Sequence, residues 1–143
     1  MSELSLSDEW ETPFEIYIWL TKKYNFNCTL DVCASKDNTQ CEKYFDEKTN
    51  GLKQKWDPVN WCNPPRKFYK DFVKKACDEF LESNRETIML IPANSLCTSY
   101  AEKYIIPHAQ IYPIIGRINF LHYGEDVGRS RNAYFVVIWR KQK

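Results

Sequence analysis

The 143-residue sequence lacks the features of a membrane or secreted protein. None of its apolar runs approaches the ~20 residues that a membrane-spanning helix needs. The N-terminal stretch MSELSLSDEWETP is polar and acidic, unlike a secretory signal. The sequence therefore predicts a soluble intracellular protein, cytoplasmic and without a membrane partner.

A strong charge of one sign is also missing. The 20 Lys and Arg residues nearly balance the 19 Asp and Glu residues, which leaves a formal net charge of +1. Domains that hold nucleic acid by bulk electrostatics are usually strongly basic, so that mode of binding is not expected. Local basic stretches do occur, in RKFYKDFVKK, GRSRN and the C-terminal RKQK, and they leave room for a basic face.

The cysteines do not form a recognisable metal-binding or disulfide pattern. There are six, at positions 28, 33, 41, 62, 77 and 97, and none of them forms a C-x-x-C pair. The two histidines, His108 and His122, lie near no cysteine in the sequence. A zinc site needs closely spaced ligand pairs, and disulfides are rare inside cells. We therefore expect reduced, mostly buried thiols and no bound metal.

Apolar periodicity predicts alternating strands and helices. Expected strands are 28–34, 59–63, 87–93, 109–114, 116–123 and 133–140. Expected helices are 13–23, 67–82 and a short third helix that Ser99 caps, with Glu102 in a capping box, and that stops before Pro107. The strands are continuously apolar, which is typical of an open, mainly parallel sheet covered on both faces. The last two strands predict a C-terminal antiparallel hairpin. We expect a flexible leader over 1–11 and one α/β domain over 12–143.

The first predicted helix has a clear start signal. Thr12 suits the N-cap, Pro13 suits the first helical position, and Glu15 completes a capping box. Taken alone, this pattern gives Thr12 and Pro13 a purely structural role.

Polar groups lie at the carboxyl ends of three of the predicted strands. They are Asp31 to Ser35, Asn63 and Asn94. In open α/β sheets, ligands bind outside the carboxyl ends of the strands, so these positions are candidate site residues. A buried carboxylate such as Asp31 needs a partner, which is a ligand ammonium, a cluster of backbone N–H groups or a Lys. Asn63 and Asn94 also fit ordinary turn positions.

The segment WCNPPRKFY carries the most specific chemical suggestion. An exocyclic amine of a nucleobase has two N–H donors, and its lone pair is delocalised into the ring. Two acceptors, Asn63 Oδ1 and the Pro64 carbonyl, could bind both protons and localise that lone pair. Pro64 and Pro65 restrict the backbone and so help to fix the carbonyl direction. Preorganised dipoles of this kind act on charge that develops in the transition state.

An ordered set of motifs resembles one protein family. The stretches are WETP, TLDVCAS, CEKYF, NGLKQKW, WCNPP, LIPAN and GRINF, and they cover about residues 10–120. Together they are similar to the DNA N6-adenine methyltransferases of the phage-type Dam-like family. The resemblance implies a Rossmann-like fold that uses S-adenosylmethionine (SAM), with Asn63, Pro64 and Pro65 as the catalytic motif.

The resemblance also implies a cofactor site. The residues that it assigns to SAM are Thr12, Pro13, Asp31, Ala34, Ser35, Asn50, Leu52 and Asn63, with 42–45 nearby. Many methyltransferases have a Gly-rich loop after the first strand. Here Ala34 and Ser35 stand in that place as small residues that allow close approach. Asp31 is expected to bind the α-amino group of the ligand, directly or through water.

Substrate contacts are expected in the residues that follow the catalytic motif. The residue after Asn-Pro-Pro is usually an aromatic that stacks on a flipped base, but here it is Arg66. Either Arg66 itself or one of Phe68 and Tyr69 takes that role. Further candidates for DNA contact are Asn94, Arg129 and Arg131.

The preferred hypothesis is therefore methyl transfer from SAM to adenine N6 in double-stranded DNA, in a phage-encoded enzyme. Two alternatives remain. In one, the acceptor is RNA or a cytosine N4 amine. In the other, the chain is a catalytically silent binding module that kept the fold. We expect no separate recognition domain within these 143 residues. Recognition of the DNA sequence would then come from short loops or from a second subunit, either in a homodimer or from a partner.

Overall fold

The computed structural model describes residues 11–116, 118–122, 125–129 and 133–142, with His122 and 125–129 described by their backbone alone. Its helices are α1 (Phe14–Lys23), α2 (Tyr69–Ser83) and α3 (Ser99–Tyr104). Its strands are β1 (Leu30–Asp31), β2 (Lys43–Tyr44), β3 (Val59–Cys62), β4 (Glu86–Pro92), β5 (Gln110–Pro113), β6 (Asn119–His122), β7 (Glu125–Arg129) and β8 (Tyr134–Trp139). Short 3-10 turns cover Gly51–Lys53, Arg66–Phe68 and Ala93–Cys97.

Six strands form one sheet in the order β2-β1-β3-β4-β8-β5. The first four pair in parallel, whereas β8 runs antiparallel to both of its neighbours. The predicted α/β class with a mainly parallel sheet is confirmed. All four parallel strands end at the same edge of the sheet, where the predicted polar residues follow them.

The C-terminal antiparallel hairpin is present, but with a different second strand. β6 pairs with β7, which lies in the segment predicted as a loop. β8, predicted as the partner of 116–123, instead lies between β4 and β5. Its last four residues are fully buried, and a strand with apolar side chains on both faces gains most burial inside the main sheet.

Helices cover both faces of this sheet. Alternate residues of β4 point to opposite sides. Met89 and Ile91 pack in one cluster with Phe72 of α2, whereas Ile88 and Leu90 pack in the other. That second cluster includes the Tyr17 and Leu20 side chains of α1. Among the described residues, no helix is long and apolar enough to span a membrane.

Two predicted helix caps are wrong by one residue. α1 has Pro13 at its N-cap without a side-chain hydrogen bond, so Thr12 does not cap it. α3 is capped by Thr98, whose hydroxyl accepts a hydrogen bond from the Ala101 N–H, rather than by Ser99. In each case the predicted cap residue, Thr12 or Ser99, is next to the residue that occupies the N-cap position. The Thr12 hydroxyl has a different partner, in the candidate site.

Candidate active site

The carboxyl edge of the sheet brings the main candidate residues together. Asp31 ends β1, Asn63 directly follows β3, and Asn94 lies in the turn after β4. The first residue of β8, Tyr134, pairs with Pro92 at the end of β4 and therefore lies at the same edge. The sheet order puts β1 beside β3 and β3 beside β4, so these positions are on neighbouring strands.

A narrow polar recess opens between β1 and β3. Its lining residues are Glu11, Thr12, Asp31, Cys33, Asn38, Gln40, Trp61 and Asn63. Its interior volume is about 10 Å³. By the same measure, a cavity that holds one water molecule has about 10–15 Å³. The recess therefore has the size of a single small polar group, such as a water or an ammonium.

Asp31 is the buried charge of this recess, with 3% of its surface exposed. Its Oδ2 accepts a hydrogen bond from the Gln40 N–H at 3.0 Å, and its Oδ1 accepts a longer one from the Cys33 N–H at 3.4 Å. Burial raises the pKa of Asp31 to about 7, against the opposing effect of these two backbone donors. The carboxylate has neutral partners here, and a cation beside it would favour its ionised form.

The Asn63 side chain is held by a residue far away in the sequence. Asn63 Nδ2 donates a hydrogen bond to Thr12 Oγ1 at 2.9 Å. The Asn63 carbonyl oxygen accepts one from the Cys33 thiol at 3.2 Å. Since the two polar atoms of an amide lie on opposite sides of Cγ, Oδ1 is turned away from Thr12. Pro64 and Pro65 are buried directly after it, so the backbone at the motif is fixed.

The small residues after Asp31 form a tight loop at the edge of the sheet. The buried Ala34 donates its N–H to the Phe45 carbonyl at 2.9 Å. The Ser35 N–H donates to Asn38 Oδ1 at 2.7 Å. Asn38 in turn donates to Glu11 Oε2 at 3.1 Å. Both predicted small residues thus lie beside the recess, in a loop closed by its own side chains.

The segment around Gly51 lies against the end of β1. A Cβ at Gly51 would collide with the Val32 carbonyl oxygen, so only glycine allows this close approach. Asn50 has a positive φ of 58° and its Oδ1 accepts from the Leu52 N–H at 3.0 Å. Leu52 is half-buried against the core. The predicted cofactor residues Asn50 and Leu52 are therefore near β1, but neither lines the recess.

The residues after Asn-Pro-Pro differ in their exposure. Arg66 is exposed, whereas Phe68 is 8% exposed and packs in the core with α2. Of the two aromatic candidates, Tyr69 is the one that reaches the edge of the sheet, where its hydroxyl interacts with that of Tyr134. Burial, followed by the neighbouring Tyr134, raises the pKa of Tyr69 well above its usual value.

The remaining predicted contacts are more distant or are not described. Asn94 is exposed in the turn after β4. Arg129 ends β7, and only its backbone is described. Arg131 lies outside the described residues. Within the described ranges, no group of three His, Cys, Asp or Glu residues could hold a metal ion.

Sequence reasoning assigned no specific role to several residues of this site, among them Gln40, Cys33 and Tyr134. Gln40 lies in a polar segment without periodicity, and no sequence signal marks it. Cys33 resembles an ordinary core thiol, and only its contact with the Asn63 carbonyl gives it a place in the site. Tyr134 is one aromatic among many, and it reaches the motif because β8 inserts beside β4.

Comparison with known proteins supports one family. The model of the DNA N-6-adenine-methyltransferase (Dam) family matches residues 2–143. A DNA N-6-adenine-methyltransferase of Escherichia phage T1 is 36% identical over 100 residues, which cover 68% of this chain. One of Haemophilus phage HP1 is 23% identical over 141 residues, which cover 92% of this chain.

The chain aligns with only part of each relative. The aligned region spans 41% of the phage T1 protein and 78% of the phage HP1 protein. The family match nevertheless covers almost every residue, including Thr12, Asp31 and the Asn63 motif. The match over residues 2–143 shows that this chain belongs to the DNA N-6-adenine-methyltransferase (Dam) family.

Proposed function

We propose that this chain transfers a methyl group to the N6 amine of adenine in double-stranded DNA, with SAM as the methyl donor. The observation that carries the proposal is the orientation of Asn63. Its Nδ2 is bound by Thr12, and its Oδ1 is turned away, as an acceptor for an amine must be. The family match supplies the class of reaction.

The residues of the recess fit the amino-acid end of SAM. Asp31 is a buried carboxylate whose hydrogen-bond donors are neutral backbone groups. The α-ammonium of SAM has the charge that would favour ionised Asp31, and the recess has the size of such a group. Thr12 and Pro13, Ala34 and Ser35, and the 50–52 segment would surround the rest of the ligand. The expected role of Asp31 is to hold that ammonium.

Bound SAM would supply an electrophilic methyl group on a sulfonium. The amine nitrogen of adenine would form the new N–CH₃ bond as the S–CH₃ bond breaks, and one amine proton would then pass to solvent. Asn63 Oδ1 and the Pro64 carbonyl would each accept one N–H of the amine. Their acceptance draws the nitrogen towards tetrahedral geometry and localises its lone pair. The chain needs no covalent intermediate for this reaction.

We assign the holding of the flipped base to Tyr69 and Tyr134. Flipping an adenine out of the duplex costs a few kcal/mol, and stacking on an aromatic ring returns roughly 1–3 kcal/mol. Tyr69 lies six residues after Asn63, and its hydroxyl interacts with that of Tyr134. Arg66 is exposed directly after Pro65. We assign Arg66 to a phosphate of the flipped strand, with Asn94, Arg129 and Arg131 as further DNA contacts.

The setting that follows is the cytoplasm of a phage-infected bacterium. Both relatives described above come from phages. A homodimer or a partner subunit would add DNA contacts to those assigned to Arg66 and Asn94. Gel filtration with and without DNA would show which of these forms binds.

Exchange of Asn63 for alanine tests the proposal. Asn63→Ala removes Oδ1 and should reduce methyl transfer by at least about 100-fold, as for loss of one oxyanion-hole donor. SAM affinity, measured by calorimetry, should stay within about threefold. Asn84, at the left-handed C-cap of α2 and far from the motif in sequence, provides the control Asn84→Gly. If Asn63→Ala retains its rate, or if it loses SAM binding and its fold, Asn63 is a structural residue.

A further inference from the structure

Five residues of the recess are joined in a closed circuit of hydrogen bonds. Asp31 Oδ2 accepts from the Gln40 N–H at 3.0 Å, and Gln40 Nε2 donates to the Thr12 carbonyl at 2.7 Å. Thr12 Oγ1 accepts from Asn63 Nδ2 at 2.9 Å. On the other side, the Asn63 carbonyl accepts from the Cys33 thiol, and the Cys33 N–H donates to Asp31 Oδ1.

The circuit connects three separate parts of the chain. Thr12 precedes α1, Asp31 to Gln40 form the end of β1 and the following loop, and Asn63 follows β3. Thr12 and Asn63 are 51 residues apart. Thr12, Asp31 and Cys33 are each at most 5% exposed. Hydrogen bonds among buried groups in such a network hold one geometry, because each member fixes the next.

Gln40 occupies a special place in this circuit. Its backbone N–H binds the carboxylate of Asp31, and its side chain binds the backbone of Thr12. Thr12 then presents its hydroxyl to the Asn63 amide. An amide that rotates by half a turn exchanges its acceptor for a donor and would repel the amine of the substrate. The position of Thr12 therefore contributes to the orientation of Asn63, and Gln40 holds Thr12.

We propose that Gln40 is a positioning residue for methyl transfer, acting through Thr12 to keep Asn63 Oδ1 directed at the substrate amine. We call this series of contacts the arm: the Gln40 side chain binds the Thr12 backbone, and the Thr12 hydroxyl binds Asn63 Nδ2. Gln40 also binds the carboxylate of Asp31, the residue proposed to hold SAM. The same residue therefore positions both Asp31 and the amide of Asn63. This inference rests on the proposed roles of Asp31 and Asn63.

The first experiment compares two glutamines that make the same kind of bond. Gln40→Met keeps the length of the side chain and the backbone N–H but removes the Nε2 donor. Gln54→Met is the matched control, since Gln54 Nε2 also donates to a backbone carbonyl, that of Thr49, at 2.8 Å on the exposed surface. Gln40→Met should lower kcat about 10- to 100-fold at saturating SAM and DNA, as misplacement of a reacting group does. Gln54→Met should leave kcat unchanged.

Thr12 variants test the middle of the arm. Thr12→Val removes the hydroxyl at nearly constant shape and should lower kcat as Gln40→Met does, whereas Thr12→Ser retains the acceptor and should restore most of the rate. The double variant Gln40→Met with Thr12→Val should be no slower than the slower single variant, because both act through Asn63. Multiplied effects would show two independent roles and would overturn the proposal.

A second readout does not need activity. In the ¹⁵N spectrum of the unliganded protein, the side-chain NH₂ of Asn63 is assigned by its loss in Asn63→Ser. Gln40→Met should shift this pair and speed its hydrogen exchange, while Gln54→Met should not. If Gln40→Met leaves the NH₂ pair unchanged, or lowers kcat only as far as it lowers the folded fraction, Gln40 positions nothing. If wild type transfers no methyl group but Gln40→Met still shifts the Asn63 NH₂ signals, the proposed function is wrong. Gln40 would then still position Asn63, but not for methyl transfer.

Discussion

Replacing Asp31 by asparagine should stabilise the unliganded protein and abolish SAM binding. Burial raises the pKa of this carboxyl from 3.8 to about 7. Between these values the folded state binds more protons than the unfolded state, so the free energy of unfolding falls as pH rises from about 4 to about 7. Above pH 7 the full penalty for a buried charge is present.

The magnitude follows from the same pKa. A rise from 3.8 to about 7 corresponds to about 4 kcal/mol, at about 1.4 kcal/mol for each pH unit. The amide of the asparagine variant would keep one oxygen acceptor and lose the other. This loss lowers the gain in the free energy of unfolding by about 1 kcal/mol. At pH 8 without SAM, Asp31→Asn should therefore unfold with a free energy up to about 3 kcal/mol higher than wild type. At pH 4 the penalty for the buried charge is nearly absent, and the two free energies of unfolding should differ by no more than about 1 kcal/mol.

Urea unfolding at pH 4 and pH 8, with and without SAM, measures both effects. Asp46→Asn is the control of opposite sign, because hydrogen bonds from the backbone N–H and side chain of Thr49 lower the pKa of Asp46. That variant should be less stable than wild type at pH 8. If Asp31→Asn is destabilised at pH 8, the pKa of Asp31 is not raised by burial. If SAM still stabilises the variant, Asp31 does not hold the ligand ammonium.

Two further predictions concern the same edge of the sheet. SAM affinity should fall below pH 7, approaching tenfold for each pH unit, because only ionised Asp31 binds an ammonium; calorimetry from pH 5 to pH 8 measures this, and a flat profile would contradict it. Gly51→Ala places a methyl group against the Val32 carbonyl and should lower the free energy of unfolding by about 1–3 kcal/mol. An unchanged urea midpoint would show that the loop can move away without loss.

Local patterns predicted the elements of the fold well. The apolar period of α2 places Phe72, Val73 and Ala76 on its buried face, where the structure has them. Continuous apolar runs predicted strands buried on both faces, such as β4. These signals are local because each element must bury its own apolar side chains.

Pairing over long distances was not predictable from such patterns. β8 could satisfy its apolar residues against several partners, and its position between β4 and β5 depends on the whole sheet. Thr12 has a good cap sequence, yet its hydroxyl binds Asn63, which lies 51 residues further on. Gln40 has no sequence signal at all, and two hydrogen bonds give it a place in the site. The sequence predicted Asp31 and Asn63 as candidate site residues but not the hydrogen bonds that join them.

The most direct test of the account is to identify the methylated product. Purified protein is incubated with methyl-labelled SAM and unmethylated double-stranded DNA, and the DNA is digested to nucleosides. The account predicts label in N6-methyldeoxyadenosine, and its loss with Asn63→Ala. Label in a cytosine or only in RNA would contradict the assigned acceptor. No label in any nucleic acid, with a folded protein that does not bind SAM, would contradict the enzyme and leave a silent binding module.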